Sequence, residues 1–229
     1  MNRLTRPALT LSAVVLGLGL AGCGAEEVAT TPPTGGESAG ADAGACTYTQ
    51  EGDAARPVDL PPEVPAYTAP VQGTIATSAG ELSITLAADT APCTVNSFAS
   101  LAEQGFYDDT PCPRIVTDPG FQILQCGDPT GTTGGGPGYS FADELTGDET
   151  YPAGTLAMAN SGPDTQGSQF FIVYGDTGLS PDYTVFGTVD PEDLAGIEEI
   201  GAAGSDNSNP AGGGAPKTPI DITSVTVDG

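Results

Sequence analysis

Beyond Arg56 the chain offers only two basic side chains, Arg114 and Lys217, and it contains no histidine at all. The missing imidazole removes the general base of serine–histidine hydrolysis and the commonest ligand of zinc. Cysteine does not fill the gap, because Cys46, Cys93, Cys112 and Cys126 follow Cys23 at spacings that make no Cys-x-x-Cys pair. No metal and no cofactor is therefore expected. What remains for chemistry is Arg114, whose guanidinium keeps its charge at any working pH and holds its donors in a plane. By position alone, a lone arginine in an acidic chain reads as half of a surface ion pair, worth about 0–1 kcal/mol.

The elements that would place Arg114 begin after residue 66. Val71–Thr77 and Glu81–Leu86 alternate apolar and polar residues around Ser78-Ala79-Gly80, a hairpin pattern. Thr90 is read as the cap of a helix that Pro92 opens, with Val95, Phe98 and Leu101 on its buried face and Gly105 at its end. Further strands are expected at Arg114–Val116, Phe121–Gln125, Thr155–Met158, Gln169–Val173, Val185–Val189 and Ile220–Val227. A second helix opens at Asp190-Pro191 and buries Leu194, Ile197 and Ile200, while the stretch from Ser205 to Pro219 reads as a loop. Many short strands joined by glycine-rich connections predict a mainly β domain over 67–229, a closed eight-stranded antiparallel barrel capped by two α-helices.

Residues 1–22 read as an address. Arg3 and Arg6 precede an apolar run, Ala8–Leu20, too short for a comfortable membrane span. The run ends in Leu20-Ala21-Gly22-Cys23, which resembles the lipobox of bacterial lipoproteins. That resemblance implies export, acylation of Cys23 and anchoring to the outer face of the cell membrane, with two or three acyl chains giving a stable hold. Residues 23–66, rich in Ala, Gly, Thr, Pro and Glu without an apolar period, are expected to form a disordered linker. With 30 acidic against 5 basic residues the formal charge is −25, so nucleic acid is excluded as a partner and the membrane is met only through the lipid.

Three ordered segments resemble the cyclophilin family. The first is Arg114-Ile115 with Pro119-Gly120-Phe121 and Leu124-Gln125-Cys126-Gly127-Asp128. The second is the glycine stretch Gly131–Gly138 leading into Phe141-Ala142-Asp143-Glu144. The third and most specific is Leu156-Ala157-Met158-Ala159-Asn160-Ser161-Gly162-Pro163-Asp164-Thr165-Gln166-Gly167-Ser168-Gln169-Phe170-Phe171-Ile172. The likeness covers roughly residues 70–229 and implies a peptidyl-prolyl cis/trans isomerase that accelerates folding of exported proteins. Its partners would be their proline-containing segments, and a monomer is expected. The alternative is a prolyl-peptide binding module or holdase with little turnover.

Such an enzyme needs no nucleophile. It must bind an X–Pro amide twisted halfway over a barrier of about 18–20 kcal/mol better than either planar isomer. The resemblance assigns the catalytic donor to Arg114 and the apolar cup to Phe121, Ile123, Phe171, Leu179 and the groove residue Ala159. Gln125 would hold the peptide backbone and orient Arg114, Asn160 would pair with the peptide through its own backbone, and Gln169 would support the arginine. Family spacing puts the pocket phenylalanine at Gln122, and the segment from Arg114 to Gln125 is longer than the family's. Either a bulge returns Phe121 to the cup or the cup is reshaped. Counting back from Val185-Phe186-Gly187 places the family's common pocket tryptophan at Gly178 and its histidine at Tyr183, which implies weak binding of cyclosporin. An even set of Cys46, Cys93, Cys112 and Cys126 in an oxidising compartment fits two disulfides in one of three pairings. The family barrel, which sets Cys112 and Cys126 on neighbouring strands, favours that pair and leaves Cys46 to Cys93.

Overall fold

The computed structural model describes residues 44–229; the expected signal segment and Cys23 lie outside the described residues. The alternation in β2 (Val71–Thr77) and β3 (Gly80–Leu86) closes as a hairpin in which Thr77 faces Gly80. A second hairpin joins β5 (Arg114–Asp118) to β6 (Phe121–Cys126) with Asp118 opposite Phe121. Pro119 and Gly120 occupy its corners, and Gly120 has φ +81°, the left-handed conformation that the third position of a type II turn requires. Proline fits the second position of that turn for its fixed φ, so the dipeptide specifies the turn.

The remaining strands are β1 (Thr49–Gln50), β4 (Thr110–Pro111), β7 (Tyr139–Ser140), β8 (Thr155–Met158), β9 (Phe170–Val173), β10 (Val185–Val189) and β11 (Asp221–Val227). The main sheet runs β4-β11-β2-β3-β10-β8-β9-β6-β5, antiparallel throughout. Its two end members, β4 and β5, are consecutive in the chain and separated only by Cys112-Pro113. Counted as one bent strand they pair with β11 at one end and β6 at the other, so the nine segments make eight strands and the sheet curls back on itself. The bend falls at Pro113, which has no N–H to give a ladder.

Helix α1 (Pro92–Glu103) places Pro92 in its first turn and buries Val95, Phe98 and Leu101 to 1 % exposure or less, as the spacing predicts. Thr90 is not its cap. The Glu144 carboxylate, from the turn after β7, accepts the Cys93 and Thr94 amides at 2.9 and 2.8 Å and the Thr94 hydroxyl at 2.7 Å. A carboxylate at a helix N-terminus satisfies free amides and meets the positive end of the dipole. The second helical segment is a 3-10 turn over Pro191–Leu194 followed by α2 (Ala195–Ala203), and Leu194, Ile197 and Ile200 are buried.

The sheet is apolar on both faces where β5, β6, β8 and β9 lie. Ile115, Leu124, Leu156, Met158, Phe170 and Ile172 point into the barrel with Phe98, Phe106, Tyr107 and Phe186. Their neighbours Val116, Ile123, Ala157, Phe171 and Val173 form a second cluster on the outer face. That division follows from the two-residue period of a strand.

Residues 44–66, expected as part of a disordered linker, are ordered. From about residue 44 the chain is a strap laid on the domain. Cys46 is bonded to Cys93, β1 pairs with β7, and the Tyr48 ring meets Tyr139 and Phe141 edge-on at 5.6 and 5.5 Å. Arg56 Nη1 reaches the carbonyl oxygens of Gly105, Phe106 and Asp108 at 2.6, 3.1 and 2.8 Å. Asn96 accepts the Ala66 amide and donates to the Pro62 carbonyl. Composition misses the strap because it is fastened by single long-range contacts rather than by an apolar period. The Cys46–Cys93 bridge closes 47 residues, for which chain entropy gives about 4 kcal/mol. Replacing both cysteines with serine is expected to lower the thermal midpoint and expose 44–66 to limited proteolysis. An unchanged midpoint with a resistant strap would show that its other contacts suffice.

Candidate active site

Arg114 and Gln125 stand directly opposite each other in the β5–β6 ladder, which puts both side chains on the outer face. Arg114 Nη1 donates to Gln125 Oε1 at 2.8 Å, Nε donates to the Gly212 carbonyl at 2.9 Å and Nη2 to the Ala211 carbonyl at 2.9 Å. These partners are all neutral. A guanidinium has five N–H donors, so one on Nη1 and one on Nη2 remain beyond those three bonds. The Phe121 ring lies 5.7 Å from the guanidinium carbon, within cation–π range. Burial lowers the Arg114 pKa, with Tyr183 acting the other way; an arginine still keeps its proton in a protein.

The loop that supplies the two carbonyls is pressed against β5. Ile115 and Gly214 form a bridge, with the Ile115 amide 2.8 Å from the Gly214 carbonyl. Gly213 has φ +65°, and a Cβ there would fall 2.1 Å from the Ile115 carbonyl oxygen. Only glycine permits this approach. The sequence reading treats the segment as a plain loop and misses its part in the site, although the run Gly212-Gly213-Gly214 signals a close backbone approach.

Beyond Gln125 the polar chain continues. Gln125 Nε2 donates to Gln169 Oε1 at 2.8 Å, and Gln169 Nε2 donates to the carbonyls of Gly135 and Thr133 at 2.9 and 3.1 Å. Those carbonyls belong to the glycine stretch, which Asp128 organises. Its carboxylate, fully buried, accepts the amides of Thr130, Thr132 and Gly135. Burial raises the Asp128 pKa, but the bonds from Thr130, Gly135 and Thr132 outweigh it and hold the carboxyl below its usual range. Gly135 has no room for a side chain, since a Cβ would lie 2.1 Å from Asp128 Oδ1.

The apolar cup is the outer cluster. Ile123 and Phe171, each 3 % exposed, form its floor with Val116, Ala157 and Val173, and Phe121, Ala159, Leu179 and Tyr183 pack partly buried around it. Phe171 and Tyr183 meet edge-on at 5.5 Å. The β5–β6 register is regular from Arg114–Gln125 to Asp118–Phe121, so no bulge is involved. Plain alternation keeps Phe121 on the face of Ile123 and Gln125, and the hairpin's extra length carries it to the rim. Gln122 points the other way and packs over Gly175. Asn160 donates its side-chain amide to the Asp182 carbonyl at 2.8 Å, which fixes the loop that bears Tyr183. Tyr151, absent from the sequence reading, closes the cup: its hydroxyl donates to the Tyr183 carbonyl and accepts the Tyr183 amide, both at 3.0 Å. Nothing in its local sequence marks it.

Both disulfides follow the pairing implied by the resemblance. Cys46 joins Cys93, and Cys112 joins Cys126, the two residues that flank the Arg114–Gln125 pair at the open end of the hairpin.

Residues 73–227 match the family model described as cyclophilin type peptidyl-prolyl cis-trans isomerase/CLD. The chain is 45 % identical over 218 residues to a probable peptidyl-prolyl cis-trans isomerase B of Mycobacterium tuberculosis, covering 87 % of this chain and 69 % of that protein. The chain belongs to the cyclophilin-type isomerase family. It is also 39 % identical over 175 residues to peptidyl-prolyl cis-trans isomerase A of the same organism, covering 67 % of this chain and 90 % of that protein. Among solved structures it resembles a cyclophilin-type isomerase of Cryptosporidium parvum, with a TM-score of 0.60 at 31 % identity over 70 % of this chain and 98 % of the other. A second structure of that protein, in the presence of the dipeptide Ala-Pro, gives 0.59 over 69 % of this chain and 99 % of the other.

Gly178, the position that family spacing gives to the pocket tryptophan, is exposed and adjoins Leu179 of the cup. A Cβ built there meets nothing within 4 Å. Gly178→Trp is therefore expected to fold and to bind cyclosporin at least tenfold more tightly than the parent, by titration calorimetry. Equal affinities would mean that an indole at this position does not reach the ligand.

Proposed function

We propose that this chain is an active peptidyl-prolyl cis/trans isomerase in which Arg114 is the catalytic residue. The observation that carries the reading is a guanidinium held by three neutral acceptors, with two N–H donors uncommitted, beside an apolar cup on a rigid sheet. The proline ring sits in the cup on Ile123 and Phe171, which removes it from water and fixes its plane. As the X–Pro amide twists, resonance is lost and the imide nitrogen gains a lone pair that the planar amide lacks. An Arg114 donor directed at that nitrogen bonds to it only in the twisted state. Binding that strengthens only in the transition state is what raises turnover. Gln125 holds the guanidinium and offers its amide to the peptide backbone, while Asn160 pairs with the flanking residue as an added strand would. No bond is made or broken, so neither nucleophile nor cofactor enters.

The Cryptosporidium structure in the presence of the dipeptide Ala-Pro supports a proline-containing ligand for this family member as well. Arg114→Ala is expected to lower kcat/KM on an Ala-Pro peptide at least tenfold, about 1.4 kcal/mol of barrier, while the peptide still binds. Parent activity should be level between about pH 6 and 9, because no histidine titrates. NMR exchange spectroscopy measures both. Retention of full turnover by Arg114→Ala would defeat the assignment, and binding without turnover in the parent would favour the binding-module reading.

The substrates we infer are proline-containing segments of exported proteins, met outside the membrane to which acylated Cys23 anchors the chain. The signal-like residues 1–22 and the lipobox pattern support this, and two disulfides fit an oxidising compartment. Cys23→Ser should abolish palmitate incorporation and move the protein from the membrane fraction to the soluble one. Persistence in washed membranes would rule out the lipid anchor.

A further inference from the structure

The strap, residues 44–66, lies outside the matched family region, 73–227, yet it reaches the polar line that ends on Arg114. That line leaves the guanidinium through Gln125 and Gln169 and finishes on the carbonyls of Thr133 and Gly135. Arg114 therefore keeps one orientation only if those two carbonyls keep theirs. The segment that carries them is poorly suited to hold a shape unaided. Three successive glycines, Gly134, Gly135 and Gly136, leave its torsions open. Thr133 sits at φ +64°, which a β-branched residue adopts only where its surroundings impose it.

Two clamps supply the restraint. Asp128 holds the first part through the amides of Thr130, Thr132 and Gly135, and its reach stops there. From Gly136 to Ser140 the backbone hydrogen bonds, among the described residues, all run to the strap. The Ala55 amide donates to the Gly136 carbonyl at 2.8 Å and the Glu51 amide to the Gly138 carbonyl at 2.9 Å. Tyr139 and Ser140 then pair with Gln50 and Thr49. A Cβ on Gly138 would lie 2.9 Å from the Ala54 nitrogen, so the approach is as close as glycine allows. Of two successive carbonyls, Gln169 holds the Gly135 one and Ala55 the Gly136 one. The strap is anchored in turn by the Cys46–Cys93 bridge, and the Cys46 amide closes it on itself at the Glu63 carbonyl, 2.7 Å away.

We propose that Glu51 and Ala55 are positioning residues for Arg114. Their backbone amides fix the glycine stretch, and through Gln169 and Gln125 they fix the direction of the guanidinium donors. The proposal rests on the isomerase reading for the reaction it serves. Without the strap bonds, the stretch from Thr133 to Gly138 relaxes, the Gln169 carboxamide loses its fixed acceptors, and Arg114 no longer points steadily at the imide nitrogen. The floor of the cup is built by Val116, Ile123, Ala157, Phe171 and Val173 on the main sheet, so proline binding survives. The strap thus acts on turnover and not on affinity.

The test compares three variants of the full chain, each well below its thermal midpoint. Ala55→Pro removes the N–H and sets ring carbons against the Gly136 carbonyl, whereas Ala55→Ser keeps the N–H. Gln104→Ala frees the strap at Asp59, whose amide and carbonyl Gln104 holds, and leaves residues 51–55 untouched. By NMR exchange on saturating Ala-Pro peptide, Ala55→Pro is expected to turn over about threefold to tenfold more slowly, part of the roughly hundredfold that a 1 Å misplacement can cost. Its peptide dissociation constant should stay within about twofold of the parent's, since only the transition-state contact is lost. The Arg114 Nε–H and the Gln125 and Gln169 carboxamide signals should shift or broaden in Ala55→Pro and match the parent in the other two. Should Ala55→Pro not fold, Glu51→Pro, which removes the other amide, carries the same readouts. A proline variant with the parent's saturating rate, or with unshifted signals, overturns the proposal. So does equal slowing in Gln104→Ala, which would mark simple loosening of the domain. If the parent does not turn over, the isomerase reading fails instead, and the guanidinium and carboxamide signals alone decide the strap's role.

Discussion

Arg114 touches Gln125, Gly212 and Ala211, and none of these carries a charge. A carboxylate in the same place would fix the guanidinium as firmly but would cancel the potential it presents to a peptide. Neutral acceptors position it without that loss, and bonds to a charged group contribute about 1.5–3 kcal/mol each. The arrangement then depends on the two glutamines having one orientation each. Gln125 must accept from Arg114 and donate to Gln169, and Gln169 must accept from Gln125 and donate to the carbonyls of Thr133 and Gly135. With a pure donor at one end and pure acceptors at the other, neither amide can flip without breaking two bonds. Asp128, buried under the glycine stretch, fixes the acceptor end.

That polar line runs along the outer face of a sheet whose inner face is the barrel core. Strands β8 and β9 are buried on both sides, so Leu156, Phe170 and Ile172 pack inward while Ala157 and Phe171 floor the cup. A side chain shift in the cup would therefore have to pass through close-packed backbone, and interiors at crystal-like density yield little. The same feature explains why the cup needs so few residues of its own. It is the back of a core that the fold must build in any case.

What was legible in the sequence follows from how local each signal is. The β2–β3 and β5–β6 hairpins, α1 and the run from Leu156 to Ile172 are written in consecutive residues and appear where the patterns place them. Arg114, Gln125, Gln169, Ile123 and Phe171 gather as the resemblance implies, because the strand period alone puts them on one face. Features made by distant pairs were not legible: Glu144 capping α1, Tyr151 clamping the Tyr183 backbone, the Ala211 and Gly212 carbonyls on Arg114, and the strap. Strands β1, β4 and β7, two residues each, are too short to carry a period. The position of Phe121 turned on whether the hairpin held a bulge, a property of pairing that one strand's sequence does not state.

Strand β5 ends the ladder, with β6 on one side and the single Ile115–Gly214 bridge on the other. An edge strand held this lightly is free to change register, and a slip of one residue would turn Arg114 to the inner face and Ile115 to the outer one. The hairpin is secured against this at both ends. Pro119-Gly120 fixes the closed end by turn geometry, and the Cys112–Cys126 bridge fixes the open end one residue past Gln125. The cross-link spans only 14 residues, yet these include Arg114, Phe121, Ile123 and Gln125. The placement of that disulfide is thus best understood through the register it preserves, and through that register the one cation on which the chemistry rests.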